Sequence, residues 1–374
     1  MQTIRGWKDK VLFTPGPLTT SQTVKQAMLR DLGSRDFAFI ETVADIRNRL
    51  LALGGVSKGD YEAVLMQGSG TFSIEAVFST AMPREGKALI IVNGAYGLRM
   101  IQICKALGIE TVVLECPENS LPDVKQVEET LQREAGAIKL AAVVHCETTT
   151  GIINPIQKIG AAVKAAGARY FVDAMSSFGA VPLNIGAAHI DYLVSSANKC
   201  IEGVPGFGLV IGRRAALIET EGWARSVSLD LRAQWKGLEG NGQFRFTPPT
   251  HALLAFHQAL LELEQEGGPE GRGTRYYNNY LTLLTGMRAL GFKEYLPPEL
   301  QGYIITSFLY PTHPSWSFDE FYHRLNERDF VIYPGKVSNA DCFRIGNIGR
   351  LFEADIRALL AAIKEVLGEM GVTL

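Results

Sequence analysis

DYLVSSANKCIEGVPGFG, residues 191–208, is the stretch on which the reading of this chain turns. A short apolar run, Tyr192 to Val194, gives way to small polar residues and then to Lys199. The GVPG turn at 203–206 follows. Lysine is a poor choice for a strand end inside a core. Held on a tight loop away from open water, its amine loses a proton more readily than a surface lysine does. A neutral amine attacks aldehydes. Taken alone, the stretch fits an ordinary solvated lysine better, because most lysines are of that kind. The segments around it change that balance.

Upstream, strand and helix signals alternate. A helix is predicted over 40–53, stopped by Gly54-Gly55. Strands are predicted at 62–66, 88–92, 111–114, 140–145, 170–172, 192–194 and 209–211. Helices fall at 96–107, 123–135 and 155–166, and another follows the glycines after 67 with apolar residues at 74, 77, 78 and 81. Short continuous apolar runs between helices predict a largely parallel sheet covered on both faces. In such folds ligands bind beyond the carboxyl ends of the strands.

That rule gathers five segments on one rim. QGSGT (67–71) is a strand–glycine turn–helix junction, which presents free backbone N–H groups to an anion, with hydroxyls from Ser69 and Thr71. It matches neither G-x-G-x-x-G nor a Walker A loop, so a single phosphate suits it better than a dinucleotide or a triphosphate. A capped helix start without a ligand explains it about as well. The other segments are NGAY (93–96), ETTTG (147–151), Asp173 and Lys199. Pyridoxal phosphate would give these groups a shared chemistry. Lys199 would form an imine with its aldehyde, and the Asp173 carboxylate would keep the pyridine nitrogen protonated so that the ring acts as an electron sink. Tyr96 could stack on the ring or serve the core. Thr148 could bond the ring's phenolic oxygen, with Thr149 and Thr150 as alternatives.

The bulk numbers agree with an enzyme of this kind. The 374 residues suffice for a large domain and a smaller one. With 37 basic against 39 acidic residues, the net charge of −2 argues against a nucleic-acid or anionic-membrane role. No apolar run reaches bilayer length, and MQTIRGWKDK lacks a secretory core. The cysteines at 104, 116, 146, 200 and 342 show no C-x-x-C spacing. Neither a disulfide scaffold nor a metal site is expected, a reducing cytoplasm is, and Cys200 reads as a buried structural thiol.

Nine segments together resemble the class V aminotransferases of fold type I. They are FTPGPLT (13–19), QGSGTFSIEA (67–76), NGAYGLRM (93–100), HCETTTGIINPI (145–156), VDAMSSFGA (172–180), SANKCIEGVPGFG (196–208), SLDLRAQW (228–235), FRFTPPTH (244–251) and VIYPGKVSNADCFRIGNIG (331–349). The glycine-rich cradle and the VDA segment are shared with serine–pyruvate and alanine–glyoxylate aminotransferases. The lysine segment and the last segment resemble the branch that moves an amino group from an aminophosphonate to pyruvate. The resemblance implies a homodimer with its active site at the subunit interface and pyridoxal 5'-phosphate as cofactor. It implies Lys199 as the imine lysine and Asp173 as the pyridine partner. Ser69, Gly70 and Thr71 would hold the phosphate, with Thr247 reaching it from the neighbouring subunit. Tyr96, Thr148 and Asn198 would contact the cofactor, and Arg344 would bind the substrate's acidic group. Glu202 departs from the Gln expected beside the lysine segment.

Arg344 also reads from chemistry, since a guanidinium rooted in an apolar strand needs an anionic partner, either a ligand or a structural Asp or Glu. The chain divides into an arm over 1–19 that contributes to the small domain and active site, a large α/β domain over 20–266 built on a mostly parallel sheet of the seven-stranded type, and a small C-terminal α/β domain over 267–374. A helix is predicted over 251–266 with a solvated Glu run at 262, 264 and 266. The stretch 266–274 is the expected connection. A helix at 276–290, strands at 303–309 and 330–332, and a helix at 353–367 follow. Two rival readings remain: an aminotransferase of the alanine–glyoxylate or serine–pyruvate type, and an inactive α/β binding scaffold.

Overall fold

A computed structural model describes residues 9–337 and 340–374. Its centre is a seven-stranded sheet: β1 (Tyr61–Gly68), β2 (Lys87–Val92), β3 (Glu110–Glu115), β4 (Ile138–Val144), β5 (Arg169–Asp173), β6 (Tyr192–Ser196) and β7 (Gly206–Arg213). The order across it is β1-β7-β6-β5-β4-β2-β3. Pairs from β6 to β3 are parallel, while β7 runs antiparallel to both β6 and β1. Residues of β4, β5 and β6 are almost wholly buried. Helices on both faces cover them, which explains the unbroken apolar runs. All seven predicted strands are present; six are extended by one to several residues, and the one expected at 140–145 starts two residues earlier and ends before His145.

The C-terminal third packs around a separate core that includes Leu283, Phe308, Phe343, Ile345 and Ile363. Phe13 belongs to that core, and Val11–Leu12 pairs in parallel with Phe330–Val331. The chain then returns to the large sheet at Thr14–Pro17. The three-residue strand expected at 330–332 is this two-residue pairing. The strand expected at 303–309 forms only at Ile305–Leu309, and it pairs with Cys342–Gly346.

The expected connection at 266–274 is corrected. Helix Thr250–Gln265 is followed directly by helix Gly268–Ala289, eight residues longer at its start than predicted. Gly267, in the left-handed region at φ 95°, makes the turn, and Pro269 occupies the first turn of the new helix, where its missing N–H has no intrahelical role. The glutamates at 262, 264 and 266 are not simply solvated. Glu262 accepts from the Ser21 and Thr23 hydroxyls, Glu264 pairs with Arg49, and Glu266 pairs with Arg272 and Arg275. No described helix is long and apolar enough to cross a membrane.

Candidate active site

The site forms where the carboxyl ends of β1, β2, β4, β5 and β6 meet the Thr14–Pro17 turn. Lys199 lies in the turn between β6 and β7. Burial lowers its amine from 10.5 to about 8, and Asp173 partly opposes that shift. Its Nζ donates to the Pro15 carbonyl. The FTPGPL turn, in the arm expected to contribute to the active site, thus reaches Lys199, although the Pro15 carbonyl as its partner was not read from the sequence.

Asp173 ends β5, adjacent to β6 and in register with Val194. It is buried, and Oδ1 accepts from the Met175 amide at 2.9 Å. Desolvation raises its carboxyl to about 6, against the pull of Lys199 and Arg99. A buried carboxyl with a neutral amide as its hydrogen-bond partner suits a cationic ring nitrogen, whose charge would favour the ionised form.

The glycine-rich turn opens helix Gly70–Ala81. Ser69 is its N-cap, but the side chain makes no capping bond. The Ser73 amide is the first to bond back, to the Ser69 carbonyl at 3.2 Å. The amides of Gly70, Thr71 and Phe72 therefore have no acceptor within the helix and stand ready for an anion. Gly208 of β7 lies close enough that a Cβ there would come 3.1 Å from Gly70 Cα.

The three threonines after Glu147 separate cleanly. Thr149 Oγ1 donates to Glu147 Oε1 at 2.7 Å, and Thr150 Oγ1 to the Glu147 carbonyl at 3.4 Å. Thr148 is buried and its hydroxyl alone of the three has no partner. An orphaned buried hydroxyl is expensive unless a ligand completes it. With the free cradle amides, it makes the donor set fit pyridoxal phosphate.

Tyr96 begins helix Ala95–Ala106 and is partly exposed. Its amide donates to Glu147 Oε2 at 3.2 Å, and the Arg99 guanidinium lies 5.0 Å from its ring centroid. Glu147, missed by sequence reasoning, is fully buried and joins this helix start to the threonine loop, with its carboxyl raised to about 7 by desolvation. Arg99 also went unread, although its place three residues after Tyr96 puts both on one helix face. Its Nη1 donates to Thr71 Oγ1 at 3.4 Å.

Arg344 is buried in strand Cys342–Gly346 and, among the described residues, has no acidic partner. Its Nε donates to the Pro334 carbonyl at 3.0 Å and its Nη1 to the Thr148 carbonyl at 2.8 Å. Among the described residues the structural ion pair weighed as an alternative does not form, and two carbonyls brace the guanidinium instead. Asn198 is tied locally, its Oδ1 accepting from Ser196 Oγ at 2.6 Å. Thr247 is exposed on the loop before helix Thr250–Gln265, with its carbonyl accepting from Gln67 Nε2 at 3.3 Å. Among the described residues its hydroxyl makes no hydrogen bond to the cradle. Cys200 is buried against the Ser176 carbonyl, and the described cysteines are all free.

Glu202 turns away from Lys199. Its Oε1 accepts from Arg275 Nη2 at 2.7 Å and from the Tyr276 hydroxyl at 2.6 Å, with Arg272 at 3.5 Å.

The Aminotransferase class-V family model matches residues 20–298. The chain belongs to the class V aminotransferases. It is 52% identical over 362 residues to 2-aminoethylphosphonate–pyruvate transaminase of Klebsiella pneumoniae, covering 96% of this chain and 98% of that one. The transaminase of the same name from Salmonella typhimurium matches to the same extent. Among solved structures, alanine–glyoxylate aminotransferase from Nostoc superposes with a TM-score of 0.90 at 22% identity, covering 98% of this chain and 97% of that one. Pyridoxamine–pyruvate aminotransferase from Mesorhizobium loti gives 0.89 at 23%, covering 99% and 95%. The fold of this class V aminotransferase is therefore the fold-type I architecture.

Proposed function

We propose that this aminotransferase uses pyridoxal 5'-phosphate to move the amino group of 2-aminoethylphosphonate to pyruvate, giving phosphonoacetaldehyde and L-alanine. One observation carries the chemistry: a desolvated amine, Lys199, stands in the turn that follows β6, the strand paired with the one bearing the buried carboxyl of Asp173. The substrate pair rests on relatives at 52% identity over nearly the whole chain.

When bound, pyridoxal phosphate supplies an aldehyde that condenses with amines and a cationic ring that spreads the charge of an ionised C–H bond. The protein's part follows from its own groups. Lys199 would anchor the aldehyde and, once freed by the incoming amine, take the proton from the substrate carbon at Nζ and return it one position away. Asp173 would hold the proton of the ring nitrogen. Gly70, Thr71 and Ser69 would bind the phosphate, Thr148 Oγ1 the ring oxygen, Tyr96 the ring face, and Asn198 the cofactor surroundings. Arg344 Nη2, left free by the two carbonyls, would meet the carboxylate of pyruvate and an oxygen of the phosphonate.

The site is completed in a homodimer, with Thr247 reaching the phosphate of its partner. Exposed Phe72 and Phe246, each next to a cradle or loop threonine, support a covered face there. Free cysteines suit a cytoplasmic enzyme. We keep the domain division at residue 267, with residues 9–19 of the arm serving both the small domain and the lysine and residues 1–8 lying outside the described residues.

The experiment is pyruvate-dependent release of an aldehyde from 2-aminoethylphosphonate by the purified protein, with Lys199→Ala as control. The variant is expected to fold, to lose turnover and to leave the cofactor exchangeable. Turnover with L-alanine and glyoxylate but none with the phosphonate would move the enzyme to the alanine–glyoxylate type. A protein that stays colourless with added cofactor would remove the enzymatic reading.

A further inference from the structure

Lys199, Arg99, Arg344 and Lys336 converge on the site, and among the described residues the last three have no ion-pair partner. Elsewhere the buried arginines are matched: Arg47 faces Glu62 and Glu239, and Arg272 faces Glu202 and Glu266. Arg99 and Lys336 each lie 5.0 Å from the centroid of the Tyr96 ring. The Lys336 amine is pulled down by burial and then by Arg99 and Arg344, with Glu147 opposing them. The three cations thus feel one another, and the carboxyl that opposes them, Glu147, is buried and already bonded to the Tyr96 amide and the Thr149 hydroxyl. Such an arrangement is unfavourable in the free protein and is relieved by an anionic ligand.

Arg344 cannot answer that gap alone. Its Nε and Nη1 are committed to the Pro334 and Thr148 carbonyls, which leaves Nη2. A carboxylate, with one charge and two oxygens, suits what remains. A phosphonate brings a third oxygen and up to a second charge, and it needs another cation. Lys336 is placed to supply it. The turn that carries it leaves Pro334, whose carbonyl fixes Arg344, and the Gly335 amide bonds the Cys342 carbonyl at 2.9 Å. One hairpin therefore sets both cations. Lys336 is exposed as a residue, its amine partly shielded over the Tyr96 ring, and among the described residues it makes no side-chain hydrogen bond or ion pair, which leaves its N–H donors open to a ligand. Arg99 is less free, because it also touches Thr71 of the cradle.

We propose that Lys336, backed by Arg99, forms a second anion subsite beside Arg344 that selects a phosphonate donor over a carboxylate one. This rests on the proposed reaction and assigns the part of the pocket that distinguishes its two substrates. Lys336 binds the phosphonate during the first half-reaction. Pyruvate, in the second, needs only Arg344.

The test uses the cofactor-loaded enzyme with Lys336→Gln and Lys336→Arg. Binding of ethylphosphonate and of propionate, which lack the amine, is measured by calorimetry. In parallel, kcat and KM are measured for 2-aminoethylphosphonate and for L-alanine. A charge-assisted contact predicts a roughly 10- to 100-fold loss of ethylphosphonate affinity in Lys336→Gln. The same factor should appear in kcat/KM for the phosphonate, mostly through KM. Propionate and L-alanine should change less than about threefold, and Lys336→Arg should restore most of the loss, because it keeps the charge. Equal losses for both anions, or no loss for the phosphonate, would overturn the subsite. If the wild type binds ethylphosphonate through Lys336 yet never turns over 2-aminoethylphosphonate, the subsite stands and the proposed reaction falls.

Discussion

The carbonyl of Pro15 accepts a hydrogen bond from Lys199 Nζ, so the N-terminal turn and the reactive amine form one unit. Gly16 makes this approach possible. Its φ of 118° lies where a side chain is strained, and a Cβ there would stand 2.6 Å from Lys199 Nζ and 2.8 Å from Cδ.

Gly16→Ala should therefore displace the lysine rather than unfold the chain. Backbone strain of this kind costs about 1–3 kcal/mol. The expected result is a protein with normal circular dichroism, a modestly lower Tm and a kcat at least roughly tenfold lower, since small misplacement of a reacting group is expensive. Wild-type kcat would show that the turn merely passes by.

Asp173→Asn should separate stability from activity. Burial raises the folded carboxyl from 3.8 to about 6, so the folded chain holds the proton more tightly than the unfolded one. The stability this gives is fully present below 3.8 and is lost as pH rises through 6. Asparagine keeps the oxygen that accepts from the Met175 amide and carries no charge to bury. The cofactor-free variant should be more stable than wild type at pH 8, by about 3 kcal/mol at most, with the gain shrinking toward pH 4. Its transamination rate should fall by two orders of magnitude or more. Denaturant titrations at both pH values and steady-state rates check the two halves. A variant less stable at pH 8 would contradict the burial argument.

The sequence carried the large sheet well because β4, β5 and β6 are buried on both faces and read as continuous apolar runs. The chemistry-bearing strand ends came with them, since parallel strands place their carboxyl ends on one rim. Local patterns could not show contacts closed by distant segments. Pro15 meets Lys199 across 184 positions, and Arg344 braces Thr148 across 196. Lys336 looked like any polar residue in a turn. The start of helix Gly268–Ala289 was hidden because Gly268, Gly271, Gly273 and Pro269 carry loop chemistry, which packing of Arg272 and Gly273 overrides.

Phe246→Asp should test the dimer on which Thr247 depends. The side chain is exposed in one chain, beside the threonine proposed to cross over. Replacing an apolar ring by a carboxylate that must lose its water on association is unfavourable, even with the Arg245 guanidinium 5.0 Å from the ring it replaces. Sedimentation should show dissociation, and activity and phosphate affinity of the cofactor should fall together. A fully active dimer would place the interface elsewhere.

Glu202→Gln probes the departure from the expected lysine segment. Glu202 has a positive φ of 65° and is held by Arg275, Arg272 and Tyr276 from helix Gly268–Ala289. Glutamine keeps an acceptor for the Tyr276 hydroxyl but removes the charge. Truncating one side of a buried ion pair costs several kcal/mol, yet Glu266 still faces both arginines at 2.6 Å. A loss of about 1–3 kcal/mol is expected. The Lys199 amine is set first by burial and then by Cys200, Asp173, Arg344 and Cys146, and Glu202 is not among these leading influences. The pH dependence of activity should therefore stay where it is while the denaturation midpoint drops. A shifted pH profile at unchanged stability would mean that Glu202 acts on the lysine after all, through space rather than through the helix it anchors.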